Sequence, residues 1–450
     1  MKNQLLPNEK RIEESSLIDS ADQITQVQKK CNFRKIIGII IIIVGIVFGF
    51  YISSLAMFGM SSVSKNRFLG FFFQLVISFL TVFGLTLIGM IIAPFYKTNK
   101  KKQIIISAII FFISYIISLT LYLLMFYLPV GQMTEFKRIP SGFWELSTGS
   151  KIAYYEYGNN SDNKYPIICV HGGPGSPANS KDEFIEPLTM MGYRVYQYDQ
   201  VGCGKSSRLD NCNQYTLSRH VEDLEGIRKS IGTEKINIIC HSFGGTLSSN
   251  YIARYPNRVD NCFFISPGMM WAGDKTVSSI NENGTKDEIK SFLKNPRYLF
   301  AQAISMIFPP NGLLVLMDEE DLDNLFMKFH DDLNMMPGSG EFYNSKGAGY
   351  GFWANVMTGR SMVKSPSPYK NLTKFNGRSL VVKGQYDYVS FRATLQYRDH
   401  IPNSTLITID GMGHAVGSDQ IDEVFSNIKM FLLNGTTVNT PYYGNDSPWN

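Results

Sequence analysis

A serine set between a β-rich run and a pair of glycines is the residue of this chain best placed for nucleophilic chemistry. In Ile236-Asn-Ile-Ile-Cys240-His241-Ser242-Phe243-Gly244-Gly245, Ser242 closes an apolar strand pattern and opens a helical one. A hydroxyl is a poor nucleophile unless a base takes its proton. The chain offers six histidines: His171, His220, His241, His330, His400 and His414. His171 belongs to a glycine turn, and His220 falls on an expected helix. His241 adjoins Ser242, but in a sharp strand-to-helix turn its side chain is expected to point away. His330 lies in an acidic helical stretch and His400 in an expected loop. His414, in the loop Gly411-Met412-Gly413-His414 after the strand Ser404–Ile409, is therefore the expected base. The base needs a carboxylate to hold its tautomer. Leu380-Val-Val-Lys-Gly-Gln-Tyr-Asp387 reads as strand, turn and acid, so Asp387 is chosen over Asp399, which sits in a helical region.

The developing negative charge needs donors. The amide of Phe243 opens the helix after Ser242, where backbone N–H groups lack intrahelical partners and the dipole is positive. A second donor is expected from His171-Gly172-Gly173-Pro174-Gly175, specifically the amide of Gly173. The turn at Ser242 also demands small residues two before and two after it. Gly244 satisfies this, and Cys240 stands where glycine is usual. None of the six cysteines has zinc-ligand spacing, so the expected chemistry is acyl transfer with neither metal nor cofactor. Cys203 and Cys212 are close enough in sequence to pair in an oxidising compartment.

The elements that must position these groups form an alternating series. Strand patterns at Tyr165–Val170, Tyr193–Tyr198, Ile236–Cys240, Cys262–Ile265 and Leu380–Lys383 alternate with helical segments such as Ser218–Ile231 and Gly245–Tyr255. Such alternation implies an α/β fold with a mostly parallel sheet, whose working residues sit at the carboxyl ends of strands. The chain order Ser242, Asp387, His414 is that of the α/β-hydrolase fold. The expected core is 135–268 plus 371–450, with residues 269–370 inserted as a cap.

HGGPG at 171–175, Asp199-Gln-Val-Gly-Cys-Gly-Lys-Ser206 and the Gly-Gly-Thr-Leu after Phe243 resemble the proline iminopeptidases (prolyl aminopeptidases) and the related tricorn-associated aminopeptidases. The resemblance spans roughly residues 140 to 433. It implies release of an N-terminal proline or another small residue from a short peptide with a free N-terminus. It also implies a cap carboxylate for the substrate amine. Glu341, in Gly340-Glu341-Phe342, is the candidate, while Asp318-Glu319-Glu320-Asp321 reads as a solvated helix face. The chain departs from the resemblance at the elbow, where Cys-His-Ser-Phe replaces the family's usual residues, and at Tyr388, where some members carry an acid. An esterase or lipase working near a bilayer is the alternative. A non-catalytic receptor is disfavoured by the presence of all three triad residues.

The remainder of the chain is a different material. Ile36–Met60, Phe68–Tyr96 and Gln103–Pro129 contain no charged residue, and each exceeds the roughly 20 residues needed to span a bilayer as a helix. They form an expected three-helix anchor over residues 35–130 after a polar tail, residues 1–34. Lys29, Lys30, Arg34, Lys35, Lys97, Lys100, Lys101 and Lys102 flank the spans on one side, against Lys65, Arg67, Lys137 and Arg138 on the other. That bias places the N-terminus in the cytoplasm and the hydrolase part outside it. Asn-x-Ser/Thr sequons at Asn159, Asn283, Asn371, Asn403, Asn434 and Asn445 are compatible with this, and Cys31 is a juxtamembrane thiol open to acylation. The net charge of +5 comes with no basic block interleaved with aromatics, which excludes a nucleic-acid groove.

Overall fold

The computed structural model describes residues 7–93, 99–128, 130, 138–159, 164–178, 182–277, 294–334 and 349–449. The chain divides into two compact units, one of Met1–Leu128 with Phe308–Met317 and one of the remaining residues.

Three helices of the first unit are long and apolar enough to cross a membrane, over Gln28–Ser64, Arg67–Ile92 and Lys100–Phe126. The first is part of a longer helix, α1 (Pro7–Ser64), that continues the polar tail without a break. Helix α2 (Arg67–Ile92) starts where Asn66 Oδ1 accepts from Phe68 N at 2.9 Å, and α3 (Lys100–Phe126) where Asn99 Oδ1 accepts from Lys102 N at 3.0 Å. Glycines let the helices meet closely. A Cβ on Gly38 would lie 2.3 Å from Ala93 Cβ, and one on Gly70 would lie 2.0 Å from Ser61 Oγ. Gln74 Nε2 donates to Ser118 Oγ at 3.0 Å, a polar tie between α2 and α3. The ring of Phe308 packs on Phe58 at 5.8 Å. Outward faces carry Ile39, Ile43, Phe72, Phe112 and Ile116, all exposed, a surface suited to hydrocarbon rather than water.

The second unit is built on an eight-stranded sheet in the order β1-β2-β4-β3-β5-β6-β7-β8. The strands are β1 (Gly142–Glu145), β2 (Lys151–Tyr157), β3 (Ile167–Val170), β4 (Val195–Tyr198), β5 (Ile236–Ser242), β6 (Val259–Pro267), β7 (Arg378–Gly384) and β8 (Ser404–Ile409). β1, β2 and β4 pair antiparallel, and the rest of the sheet is parallel. The antiparallel edge is an addition to the sequence reading, which had no strand before Tyr165. β1 is half-buried to exposed and β2 mixes exposed, half-buried and buried positions, a weaker signal than the continuous apolar runs of β3 and β4, which are buried throughout.

Helices α4 (Asp182–Met190), α5 (Leu217–Ile231), α6 (Phe243–Arg254), α7 (Pro296–Ile307), α8 (Glu319–Asn334), α9 (Phe352–Lys364), α10 (Phe391–His400) and α11 (Ile421–Asn434) belong with the sheet. Their ends follow local chemistry. Thr216 Oγ1 accepts from Arg219 N at the start of α5, and Gly232 closes it at φ 76°. His400, expected in a loop, is the last residue of α10. A core of Val195, Ile239, Phe263, Leu380, Ile407 and Phe431 lies beneath the sheet.

Phe263 has no exposed surface and meets the Phe431 ring edge-on at 5.7 Å. Phe263→Ala should cost about 3–5 kcal/mol, read as a lower denaturant midpoint for the second unit. A loss below about 1 kcal/mol would contradict this packing.

Candidate active site

β5 passes directly into α6 at Ser242, whose backbone is held at φ 54°, ψ −122°. A positive φ on a serine is costly and persists only where its surroundings impose it. Here the strand and helix are forced together by neighbours. A Cβ on Gly244 would lie 2.2 Å from the Val170 carbonyl oxygen, and one on Gly245 would lie 2.6 Å from Pro267 Cβ. Cys240 is tolerated because its thiol turns toward β6 and donates to Phe263 O at 3.3 Å.

Asp387 follows β7 and is 1% exposed. Its Oδ1 lies 2.7 Å from His414 Nδ1 and accepts from Val389 N at 3.0 Å. Its Oδ2 accepts from Lys383 Nζ at 2.7 Å. Burial pushes the Asp387 carboxyl up, but the Lys383 ammonium and the His414 ring outweigh it and hold the acid well below the usual carboxylate range. The Tyr388 ring packs on the His414 ring at 4.1 Å between centroids. His241 differs from its expected placement. Its ring stands 4.8 Å from that of His414, and its Nε2 lies 2.8 Å from the His414 carbonyl oxygen. The residue before the serine thus braces the loop that carries His414. Burial, then His414, lowers the His241 pKa to about 3, so Nε2 of a neutral ring donates to that carbonyl. Among the described hydrogen bonds, His414 is joined to Asp387 and none joins it to the Ser242 hydroxyl.

The glycine turn at 171–175 lies against the elbow. A Cβ on Gly172 would be 2.9 Å from Ser242 Cβ, and Gly173 has φ 113°. His171 Nδ1 lies 2.8 Å from Gly172 O, while Nε2 accepts from Gln200 N at 3.0 Å, which fixes the Nδ1–H tautomer. Burial lowers the His171 pKa to about 4, so the ring is neutral. The turn is clamped from α9: Asn355 Nδ2 donates to Pro174 O at 2.8 Å and Gly351 N to Gly175 O at 2.7 Å. Asp199 holds the flank, its carboxylate accepting from Ala178 N at 2.8 Å, Lys205 N at 2.9 Å and Tyr155 OH at 3.0 Å. Arg208 Nη2 pairs with Asp323 Oδ2 at 2.9 Å, and Asp323 Oδ1 accepts from Phe352 N at 2.7 Å. That pair joins α8 and the start of α9 to the loop after β4.

Asp387 and His414 are therefore brought into contact, and His414 lies beside the strand end that bears Ser242. Phe243 is the first residue of α6 and is buried. Glu341 lies outside the described residues. Glu319, Glu320 and Asp321 fill the first turn of α8, and Asp318 Oδ1 accepts from Asp321 N at 2.8 Å, so this acidic run starts a helix. Asp399 is half exposed and paired with Arg398. Cys203 and Cys212 are both free thiols. Among the described residues no group of three His, Cys, Asp or Glu side chains could hold a metal ion. Lys383, Asp323 and Asn355 were missed from sequence. Lys383 had a signal, a charge ending an otherwise apolar strand. Asp323 and Asn355 act across long sequence separations and left none.

The chain belongs to the family described as the alpha/beta hydrolase fold, whose sequence profile matches residues 165–419. It is similar to a proline iminopeptidase of Heyndrickxia coagulans, with 26% identity over 322 residues that cover 65% of this chain and 98% of the relative. Among solved structures, an esterase from Exiguobacterium antarcticum matches with a TM-score of 0.44 and 15% identity, covering 65% of this chain and 98% of its own. A proline iminopeptidase of Mycobacterium smegmatis matches with a TM-score of 0.43 and 18% identity, covering 65% and 97%.

Asp199→Asn would set an amide N–H against one of the donors that the carboxylate now receives. A cost of about 1–3 kcal/mol is expected, seen as a lower melting temperature, together with slower turnover from a loosened glycine turn. Wild-type values for both would contradict the clamping role.

Proposed function

We propose that this α/β hydrolase is a membrane-anchored serine aminopeptidase that releases N-terminal proline or another small residue from short peptides through an acyl-enzyme. Ser242 attacks the scissile carbonyl, and His414 takes the hydroxyl proton and returns it to the leaving amine. Asp387 holds the imidazole tautomer, and the amides of Gly173 and Phe243 receive the oxyanion. Water then attacks the ester with His414 again as base, which frees Ser242.

The observation that carries the catalytic reading is the 2.7 Å contact between Asp387 and His414 beside a serine strained at φ 54°. Likeness to a proline iminopeptidase across nearly the whole of that relative supports the peptide substrate. Glu341 of the 269–370 cap remains the candidate for the substrate amine, because a desolvated cation requires a paired anion. The three apolar helices support a lipid bilayer as the second partner. The basic flanks support an N-terminus in the cytoplasm, and an odd number of spans then sets the catalytic part outside it.

The test compares a prolyl aryl-amide, its N-blocked form and a short-chain aryl ester on the full chain in mild detergent. The free amide should be cleaved and the blocked one at least about tenfold more slowly, the factor that loss of a single charge-assisted contact of about 1.4 kcal/mol would give. Equal rates on the two amides would exclude an aminopeptidase, and cleavage of the ester alone would favour an esterase. Ser242→Ala should lower turnover roughly 10⁴-fold or more, and retained activity would sink the mechanism.

A further inference from the structure

Lysine is almost never fully buried unless paired, yet Lys383 is 2% exposed on β7, inside the parallel part of the sheet. Its place in Ser379-Leu-Val-Val-Lys383 is one where an apolar residue would complete the strand. Two acceptors occupy its ammonium: Asp387 Oδ2 at 2.7 Å and the Val389 carbonyl. The first belongs to the proposed triad acid, and the second to the residue whose N–H binds the other oxygen of that acid. Lys383 and Val389 therefore grip the carboxylate from both sides, and His414 takes the remaining direction.

We propose that Lys383 is a positioning residue of the acyl-transfer machinery, fixing the Asp387 carboxylate and neutralising its charge so that lysine, aspartate, histidine and serine act as one chain of four. The inference rests on the serine-hydrolase reading above. Lys383 acts only through Asp387, with no contact to the nucleophile. A buried carboxylate with no cation of its own favours the charged form of an imidazole beside it. The Lys383 ammonium on the far oxygen of Asp387 opposes that pull. The other titratable groups that face this pair are His241 from β5, Tyr388 from the loop after Asp387 and His330 from α8. Burial, reinforced by His414, keeps both histidines neutral, with pKa values of about 3 for His241 and about 4 for His330. Burial lowers the Lys383 pKa and its ion pair with Asp387 works against that, and among these groups Lys383 is the cation held against the carboxylate.

The test uses the full chain in mild detergent, with turnover expressed per active site counted by fluorophosphonate titration. Lys383→Met removes the charge at similar length. Lys383→Gln also removes the charge but keeps a donor for the Val389 carbonyl, and it is the second variant should the first not fold. The expected result is kcat at least about tenfold lower, KM within about twofold, and an acid limb of the pH–kcat/KM profile moved up by about one unit or more. A profile that stays in place, whether or not activity falls, would overturn the proposal, since a merely structural lysine would lower activity without moving the limb. A wild-type chain with no titratable serine would instead overturn the underlying reading, which separates the two failures.

Discussion

The carboxylate of Asp387 is the interaction on which the rest of this site depends. A buried charge must be paired or it becomes neutral, and this one is met on three sides by His414, Lys383 and the Val389 amide. Each partner comes from a piece of chain that the sheet sets in place. Lys383 is the next-to-last residue of β7, Val389 follows the turn after it, and His414 lies in the loop after the adjacent β8. The parallel pairing of β7 with β8 is therefore what turns a carboxyl and an imidazole 27 residues apart into a 2.7 Å contact. The same parallel sheet places β5 and its terminal serine nearby.

The second constraint is steric. Ser242 is strained because β5 and α6 meet without a loop, and they can do so only because Gly244 and Gly245 leave room for the Val170 carbonyl and for Pro267. Strain of this kind is over-determined by its surroundings. Those surroundings extend outward through the glycine turn to Asp199 and Asn355, so that backbone at the site is held by side chains from the loop after β4 and from α9. The helical unit obeys another logic, with glycines and a glutamine–serine tie facing inward and isoleucines facing out.

Much of this was legible in the sequence because it is local. The elbow, the glycine turn, the acid after its strand and the loop histidine are each a few residues long, and apolar runs announce the buried parallel strands. What escaped was non-local or only weakly patterned. β1 and β2 are short and mixed in burial, and nothing in them marks that β1 pairs with β2 and β2 with β4. Arg208 and Asp323 lie 115 residues apart and meet only after the fold has formed. A generic strand-to-helix elbow turns the residue before its serine away from the site, but here the 411–414 loop lies over it and His241 Nε2 meets the His414 carbonyl oxygen at 2.8 Å. The lysine at 383 was visible but had no meaning until the sheet showed it to be buried.

The most direct test of the central claim is to treat the full chain in mild detergent with a fluorophosphonate at neutral pH and to map the modified residue by peptide mass spectrometry. A hydroxyl activated by the histidine–aspartate pair should carry the phosphonyl group, so a single adduct on the peptide containing Ser242 is predicted. A folded chain that stays unmodified at Ser242, or that reacts at another serine instead, would contradict the account.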